Sequence, residues 1–400
     1  MPEYDIAVVG GGPAGLSSAY SSAREGCKVI LFEKDDAIAH NIRTSGVSWI
    51  KEMEGLRIPR ELYNPIRNFT FISPSNEVNI KGQNFTSCVL DVRKLYQYLA
   101  TLAAEAGAKI MVKSRVTGLF PNPQGRSYRL KVLTSGGNLD IDAKLVIDAS
   151  GFSSFIGRKL GFVNSWKKYG VGAEYECYCD SVDSETWYLM VGKQYSDAGY
   201  AWVFPLSKNR VRIGVGVGKP ESHFDPNQKL NEIIERKLRP LDRLKNIQPL
   251  EFHFGFIPND GSRTTTIADR FIMVGDSAGQ SNPLVLEGIR YAIEFGRLAG
   301  MVGARSLSRG SVKSSLEEYE RIWKNKVQSK INSALKIQSR WMKFSDKDWD
   351  QEIEILRHMS VDEYLDFIRA EFSVTKMLRL ALNHPQFAAR QLFKSVLQSG

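Results

Sequence analysis

Little in this chain points to disulfides, a membrane span or export. Its 400 residues include four cysteines, Cys27, Cys88, Cys177 and Cys179. Their spacing fits no zinc pattern, so a reduced, cytosolic protein without a metal site is the simpler reading. Cys177 and Cys179 lie two apart in an alternating segment, so both point to one sheet face and read as packing. No run approaches the ~18 apolar residues of a transmembrane helix. The N-terminus enters a strand without a basic n-region or an apolar h-region, so no secretory signal is visible. Charge is lopsided, with 54 Lys and Arg against 44 Asp and Glu, a net +10. The basic residues are dispersed and carry no nucleic-acid-binding signature, so no nucleic-acid partner is expected. An anionic membrane surface or a phosphorylated substrate accounts for the charge as well. The expected location is cytoplasmic, with any membrane contact peripheral.

What is present begins at once, in Asp5-Ile-Ala-Val-Val-Gly-Gly-Gly-Pro-Ala-Gly15. A short apolar strand runs into G-x-G-x-x-G, formed by Gly10, Gly12 and Gly15, with Pro13 and Ala14 between. The first glycine suits a tight turn, the second a close approach of backbone to a pyrophosphate, and the third close helix-on-strand packing. The pyrophosphate then meets the unpaired N–H groups of a helix N-terminus. A second apolar strand, Val29-Ile-Leu-Phe32, ends in Glu33, where an acid is expected to hydrogen-bond a ribose hydroxyl. Strand, turn, helix and acid in this order predict a dinucleotide site.

Four hundred residues exceed one usual core, so two or three units are expected. The polar stretch from Asp35 to Ile50 reads as irregular. It either runs along a cofactor, offering Thr44, Ser45 and Gly46, or is an ordinary surface loop. Residues 57–90 read as strands, and Asp91 to Gly107 as an amphipathic helix with Leu95, Leu99, Leu102 and Ala103 on one face. Tyr128 to Ile141 reads as a hairpin around Ser135-Gly-Gly137. A buried strand, Lys144-Leu-Val-Ile-Asp148, then delivers Ala149-Ser-Gly151 at its C-terminal end, where parallel sheets bind ligands. From Tyr169 onward, alternating strands predict an antiparallel sheet. Its aromatics Trp187, Tyr188, Tyr200, Trp202 and Phe204 either line an apolar pocket or fill a core.

Arg270-Phe-Ile-Met-Val-Gly-Asp276 reads as a buried strand that ends in an acid beside a glycine-rich helix start. That suits a ribityl or phosphate-side contact. After Pro283, a helix from Ile289 can aim its dipole at electron-rich carbonyls. The last hundred residues read as helical. Val374, Met377, Leu378, Ala381 and Leu382 share one face, and Ala389, Leu392, Phe393, Val396 and Leu397 another, flanked by Lys376, Arg379, Arg390 and Lys394. Such basic amphipathic helices either lie in a membrane interface or pack on the body of the protein.

Three blocks carry a resemblance: Gly10-Gly-Gly-Pro-Ala-Gly15 with Glu33-Lys34, Asp148-Ala-Ser-Gly151, and Gly275-Asp-Ser-Ala-Gly279 through Glu287-Gly-Ile289. Together they resemble the FAD-dependent group that includes aromatic hydroxylases and flavin halogenases. Within it, Gly199-Tyr-Ala-Trp-Val-Phe-Pro205 resembles the Y-x-W-x-F-P signature of the geranylgeranyl reductase branch. The resemblance implies an α/β fold with a discontinuous Rossmann-like FAD-binding domain over 1–60, 85–165 and 260–310. It implies an antiparallel-sheet substrate domain over 61–84 and 166–259, and a helical C-terminal region over 311–400. Ala14, Glu33, Thr44, Ser45, Val116, Asp276, Gly288 and Ile289 correspond to family FAD contacts. Four departures stand out. Thr44-Ser45 replaces Cys-Gly after the arginine matching Arg43. Asp91-Val-Arg93 spaces the flavin-contacting arginine differently. Ser150 replaces an aspartate, and Leu286 replaces a glycine.

The resemblance implies an FAD-dependent reductase of C=C bonds in isoprenoid chains of membrane (archaeal-type) lipids or their precursors. Thr44, Ser45, Tyr200 and Trp202 are its candidate catalytic positions, and Tyr200, Trp202 and Phe204 its alkyl-chain wall. There is no second Rossmann unit, so NADPH would bind transiently, or ferredoxin would supply electrons. One rival is a monooxygenase or halogenase, although the halogenase W-x-W-x-I-P-like motif is missing. Another is an FAD-bound lipid carrier or electron-transfer partner without turnover.

Overall fold

A computed structural model describes residues 3–122, 126–308 and 312–371, together with 376, 378 and 382–385. β1 (Glu3–Val9) and β2 (Val29–Phe32) flank α1 (Pro13–Arg24). β3 (Val47–Trp49) leads into α2 (Ile50–Gly55), followed by β4 (Tyr63–Ile66), β5 (Asn68–Ile72), β6 (Glu77–Lys81) and β7 (Ser87–Leu90). α3 (Val92–Glu105) precedes β8 (Lys109–Met111), β9 (Arg115–Pro121), β10 (Tyr128–Thr134) and β11 (Gly137–Asp148). After α4 (Phe155–Lys159) come β12 (Tyr169–Tyr178), β13 (Thr186–Met190), β14 (Gly199–Ser207) and β15 (Arg210–Lys219). α5 (Pro226–Glu235), β16 (Gln248–Pro258), β17 (Ile267–Ala268) and β18 (Phe271–Met273) follow. The chain continues into α6 (Ile289–Leu307), α7 (Val312–Trp341), α8 (Asp346–Leu356) and α9 (Val361–Ile368).

The N-terminal strand is buried on both faces, with Ile6, Ala7 and Val8 sealed from solvent. It therefore sits mid-sheet, in the order β17-β18-β11-β1-β2-β8. The pairs β1–β11, β1–β2, β2–β8 and β11–β18 are parallel. α1 and α6 cover one face. Their backbones nearly touch, because a Cβ on Gly296 or Gly300 would stand 2.5 Å or 2.3 Å from the carbonyl oxygens of Ala14 or Ser18. A single strand, β11, serves as both the second arm of the hairpin with β10 and the central strand beside β1. Sequence alone divides these into two elements.

The second sheet runs β16-β12-β15-β14-β13-β5-β6. It is antiparallel except at β13–β5, which is parallel. The departure from the expected all-antiparallel sheet has a topological cause: β5 and β6 come from a far earlier stretch of chain and enter at the edge. A further sheet, β3-β7-β4, joins the two. It gives Val47–Trp49 strand structure where sequence reads a loop, since these residues pair with Ser87–Val89.

α7 is 30 residues long and buries Leu316, Tyr319, Trp323, Val327 and Ile331 against the Rossmann-like core. Its far end, with α8 and α9, packs on the second sheet through Ile353, Tyr364, Leu365 and Phe367. The basic amphipathic segments expected between Val374 and Leu397 lie almost wholly outside the described residues. Among the described residues, no helix is long and apolar enough to cross a membrane, and no cluster of three or more side chains is arranged to hold a metal ion.

Candidate functional site

The glycine turn is built from backbone geometry. Gly10 has φ +113°, and a Cβ there would stand 2.3 Å from the carbonyl oxygen of Ala149, so only glycine fits. A Cβ on Gly15 would lie 1.9 Å from the Gly10 carbonyl oxygen, which is the close helix-on-turn packing expected of the third glycine. At Gly12, the N-cap of α1, a Cβ would meet nothing within 4 Å. The middle glycine therefore faces open space, where an anion can approach the start of the helix. Pro13 opens the helix at a position that needs no N–H donor. Glu33 accepts a hydrogen bond from the Gly11 N–H at 2.7 Å and another from the Asp35 N–H at 2.8 Å. These fix its carboxylate, and an ionised carboxylate keeps acceptor capacity for a hydroxyl.

Gly10, Gly12, Pro13, Ala14, Glu33 and Lys34 all line one cavity of about 820 Å³, as do Thr44, Ser45, Val116, Asp276, Gly288 and Ile289. Gly15 and Gly46 shape it from behind: Gly46, at φ +77°, leaves no room for a Cβ beside Val92. At the far end Gly288 caps α6. A Cβ on Gly288 would be 3.4 Å from the Asp276 carboxylate. That carboxylate makes no hydrogen bond to the chain, and burial pushes its pKa up to about 6. An unpartnered carboxyl in a cavity wall is a ready acceptor for a hydroxyl-bearing ligand. Asp148, in contrast, is fully committed inside the protein, accepting from the Ser150 N–H at 3.0 Å and the Gly157 N–H at 2.9 Å. It fastens the Ala149-Ser-Gly151 turn, which itself lines the cavity.

Several expected positions behave differently. Arg93 does not line the cavity; its guanidinium bonds the Ala39 carbonyl and pairs with Glu251. Pro283 is buried one step behind the lining residue Leu284. Thr44 and Ser45 are half-buried at the cavity, and the Ser45 carbonyl is gripped by Arg212 at 2.7 Å. The Tyr200 hydroxyl donates to the Val285 carbonyl at 2.7 Å, and burial raises its pKa, so this phenol stays neutral. Leu286 adopts a left-handed backbone, φ +51°, and its side chain fills the space beside Gly170. Burial raises the pKa values of all four thiols. Cys177 and Cys179 sit together in a core on the sheet face away from the cavity, consistent with packing.

The cavity-facing side of the second sheet is the part that sequence reading missed. Gly170 and Gly172 of β12 lie opposite Gly218 and Gly216 of β15, and all four line the cavity. Beside this floor runs a row of cross-strand partners: His253, Glu174, Gly214 and Trp202. The Trp202 ring lies over Gly214, where a Cβ would come within 2.3 Å. Its indole N–H donates to Glu174 Oε2 at 2.7 Å, and His253 Nδ1 lies 2.9 Å from Glu174 Oε1. Arg212 bonds Glu176 at 3.2 Å and the carbonyls of Ser45 and Leu90, tying the sheet to the cofactor loop. The signal is in the sequence as Arg210-Val-Arg-Ile-Gly-Val-Gly-Val-Gly218 and as two acids at alternate positions of β12. A strand with glycine on one face and valine or isoleucine on the other lays an open floor over a core.

The residues fit FAD: the open helix start suits a pyrophosphate, Glu33 and Asp276 offer acceptors for hydroxyls, and the glycine floor leaves room for a flat ring. Residues 5–156 match the FAD dependent oxidoreductase family, and residues 169–257 match the geranylgeranyl reductase catalytic domain. Fold and site together define an FAD-dependent oxidoreductase. A digeranylgeranylglycerophospholipid reductase of Methanocaldococcus jannaschii is 33% identical over 88% of this chain and 90% of its own length. The chain belongs to the digeranylgeranylglycerophospholipid reductase family. A geranylgeranyl bacteriochlorophyll reductase-like protein of Thermoplasma acidophilum shares the fold at TM-score 0.85, with 23% identity, covering 98% of this chain and 99% of that one. A flavin-dependent brominase shares it at TM-score 0.70 and 17% identity, with both chains fully covered.

Proposed function

We propose that this enzyme saturates C=C bonds in the geranylgeranyl chains of membrane lipids or their precursors. One observation carries the reading. Beside the flavin cavity lies a second, apolar pocket of about 130 Å³, and Thr44, Ser45, Tyr200, Leu284 and Leu286 line both. The walls of the second pocket include Trp49, Trp187, Phe204, Trp349, Tyr364 and Phe367. A branched hydrocarbon chain laid there meets apolar atoms throughout and points toward the ring site. Tyr200 and Phe204 form part of this wall with the sheet. α7 to α9 add Trp341, Trp349, Tyr364 and Phe367, so the C-terminal region takes part in holding substrate.

Bound FAD, once reduced, supplies the hydride for the alkene. The chain's own groups do the remaining work. Gly10 to Gly15 anchor the ADP half, and Arg212 pins the Thr44-Ser45 loop. Trp341 and Trp349 close over the junction and exclude water. Tyr200, tied to the Val285 carbonyl, serves as a rigid wall. Electrons arrive from a transient donor, NADPH or ferredoxin, and the basic segment after Glu371 holds the enzyme peripherally at an anionic membrane, where its substrate resides. The test is product analysis: dithionite-reduced enzyme, kept free of oxygen, is mixed with geranylgeranyl glycerophospholipid and the lipid is weighed by mass spectrometry. Gain of two hydrogens per double bond is expected. An unchanged lipid, with an aromatic substrate oxygenated or halogenated once oxygen is admitted, would replace this reading with the monooxygenase one.

A further inference from the structure

Hydride addition to one alkene carbon leaves the other needing a proton. The residues singled out from sequence do not supply it. The Tyr200 proton is engaged by Val285, and the hydroxyls of Thr44 and Ser45 are not acids. Another set of groups stands on the cavity-facing side of the second sheet. Glu174 (3% exposed) and His253 (2% exposed) are both cavity-lining and directly opposite one another on β12 and β16. His253 Nδ1 is 2.9 Å from Glu174 Oε1. Its Nε2 is buried without a hydrogen-bond partner and lies 3.6 Å from Glu251 Oε1, whose side chain is 38% exposed. Glu174 and His253 are in direct contact at the cavity wall, and Glu251 stands one 3.6 Å step further out toward solvent.

We propose that Glu251, His253 and Glu174 are the proton relay of this reductase, with Glu174 as the donor at the substrate. The proposal rests on the reductase reading above. Hydride brings two electrons and forms one C–H bond. The alkene π pair takes the Glu174 proton and forms the second, leaving Glu174 as carboxylate. His253 returns a proton to Glu174 through Nδ1 and is refilled at Nε2 from Glu251 and solvent. One proton is drawn from water per double bond, and the only reductant is the reduced flavin.

The surrounding charges favour this use of the site. Arg212 lies 3.7 Å from Glu174 Oε1 and bonds Glu176. Arg210 also pairs with Glu176, and Arg93 with Glu251. Three arginines thus offset three carboxylates, Glu174, Glu176 and Glu251. Trp202, bonded to Glu174 Oε2, is a positioning residue: it holds the carboxyl in the cavity wall beside the glycine floor.

The test uses the FAD-loaded enzyme, reduced by dithionite without oxygen and mixed with geranylgeranyl glycerophospholipid in detergent. Glu174→Gln and His253→Gln should each slow flavin reoxidation by the lipid at least ~100-fold. FAD content and reduction by dithionite should stay at wild-type levels. Imidazole added to His253→Gly should restore part of the rate, which repair of a merely structural histidine would not do. A second measurement needs no variant in the relay. In the wild type, labelled with nitrogen-15 at its five histidines, flavin reduction should shift the His253 resonances. Resonances unmoved by reduction would overturn the relay, as would variants that react at the wild-type rate. A wild-type enzyme that leaves the lipid unreduced would instead overturn the reductase reading beneath it.

Discussion

The two ends of the cavity are built by opposite means. At the ADP end, six consecutive residues, Gly10 to Gly15, with Glu33 a strand away, make the site mainly from backbone. At the ring end, Glu174, Trp202, Arg212 and His253 converge from four strands of one sheet, and none is adjacent to another in sequence. A backbone site tolerates almost no side-chain variation. A cross-strand site can change its chemistry by substitution while the sheet stays in register. The fold itself is shared with a brominase at 17% identity.

Breaking the ADP end should give the largest effects, and of two kinds. Gly10→Ala forces a side chain against the Ala149 carbonyl at φ +113°. It should destabilise the fold by roughly 1–3 kcal/mol, read as a lower Tm in protein stripped of FAD. Gly12→Val points its side chain into open space, so the stripped protein should melt near wild type. FAD binding should nevertheless weaken at least ~100-fold, about 2.7 kcal/mol, read as a colourless purified protein. If both variants fail in the same way, the turn is not the backbone cradle described.

At the ring end the expected losses are smaller and leave FAD in place. Gly214→Ala would displace the Trp202 ring and leave Glu174 Oε2 without its indole partner, a cost of about 1–3 kcal/mol. Retained FAD, altered tryptophan fluorescence and roughly tenfold slower lipid reduction are expected, all measurable in one preparation. Leu286→Gly relieves a left-handed leucine, worth ~1–2 kcal/mol, while loosening the unfolded chain by ~0.5–1 kcal/mol. Its Tm should change little, and the widened junction should raise turnover of bulkier chains relative to geranylgeranyl.

A pH-dependent effect concerns Asp276. Its pKa in the fold is raised to about 6 from the ordinary 3.8. Its contribution to stability is therefore full below pH ~4 and is lost as pH rises to about 6. Asp276→Asn should make FAD-free protein melt higher than wild type at pH 7 and alike at pH 4. FAD affinity should fall in the same variant, since an acceptor is replaced by a weaker one. A thermal-shift series across pH reads the first and flavin fluorescence the second.

How much was legible in the sequence follows the same division. The Gly10–Gly15 turn, Glu33, Asp276 and the start of α6 at Gly288, which line or shape one cavity, could be picked out because each stands in a short run of sequence with its own signal. The Glu174–His253 pair could not, because the partners are 79 residues apart and only strand register brings them together. Arg93 was expected near the ring from a motif, but one residue of spacing turns its guanidinium toward Ala39 and Glu251. The role of α7 to α9 in the apolar pocket was hidden because Trp341, Trp349, Tyr364 and Phe367 look like ordinary core positions until their cover is known. Leu286 was noted as a departure from glycine, and its φ of +51° lies in the left-handed region that favours glycine.

The central claim is that the flavin site and the apolar pocket form one path. Stopped-flow absorbance of the reduced enzyme, mixed with geranylgeranyl glycerophospholipid without oxygen, tests it most directly. Recovery of the oxidised flavin spectrum, at a rate that saturates with lipid and is absent with the fully saturated lipid, is the expected result. Flavin that stays reduced until oxygen is admitted would contradict it.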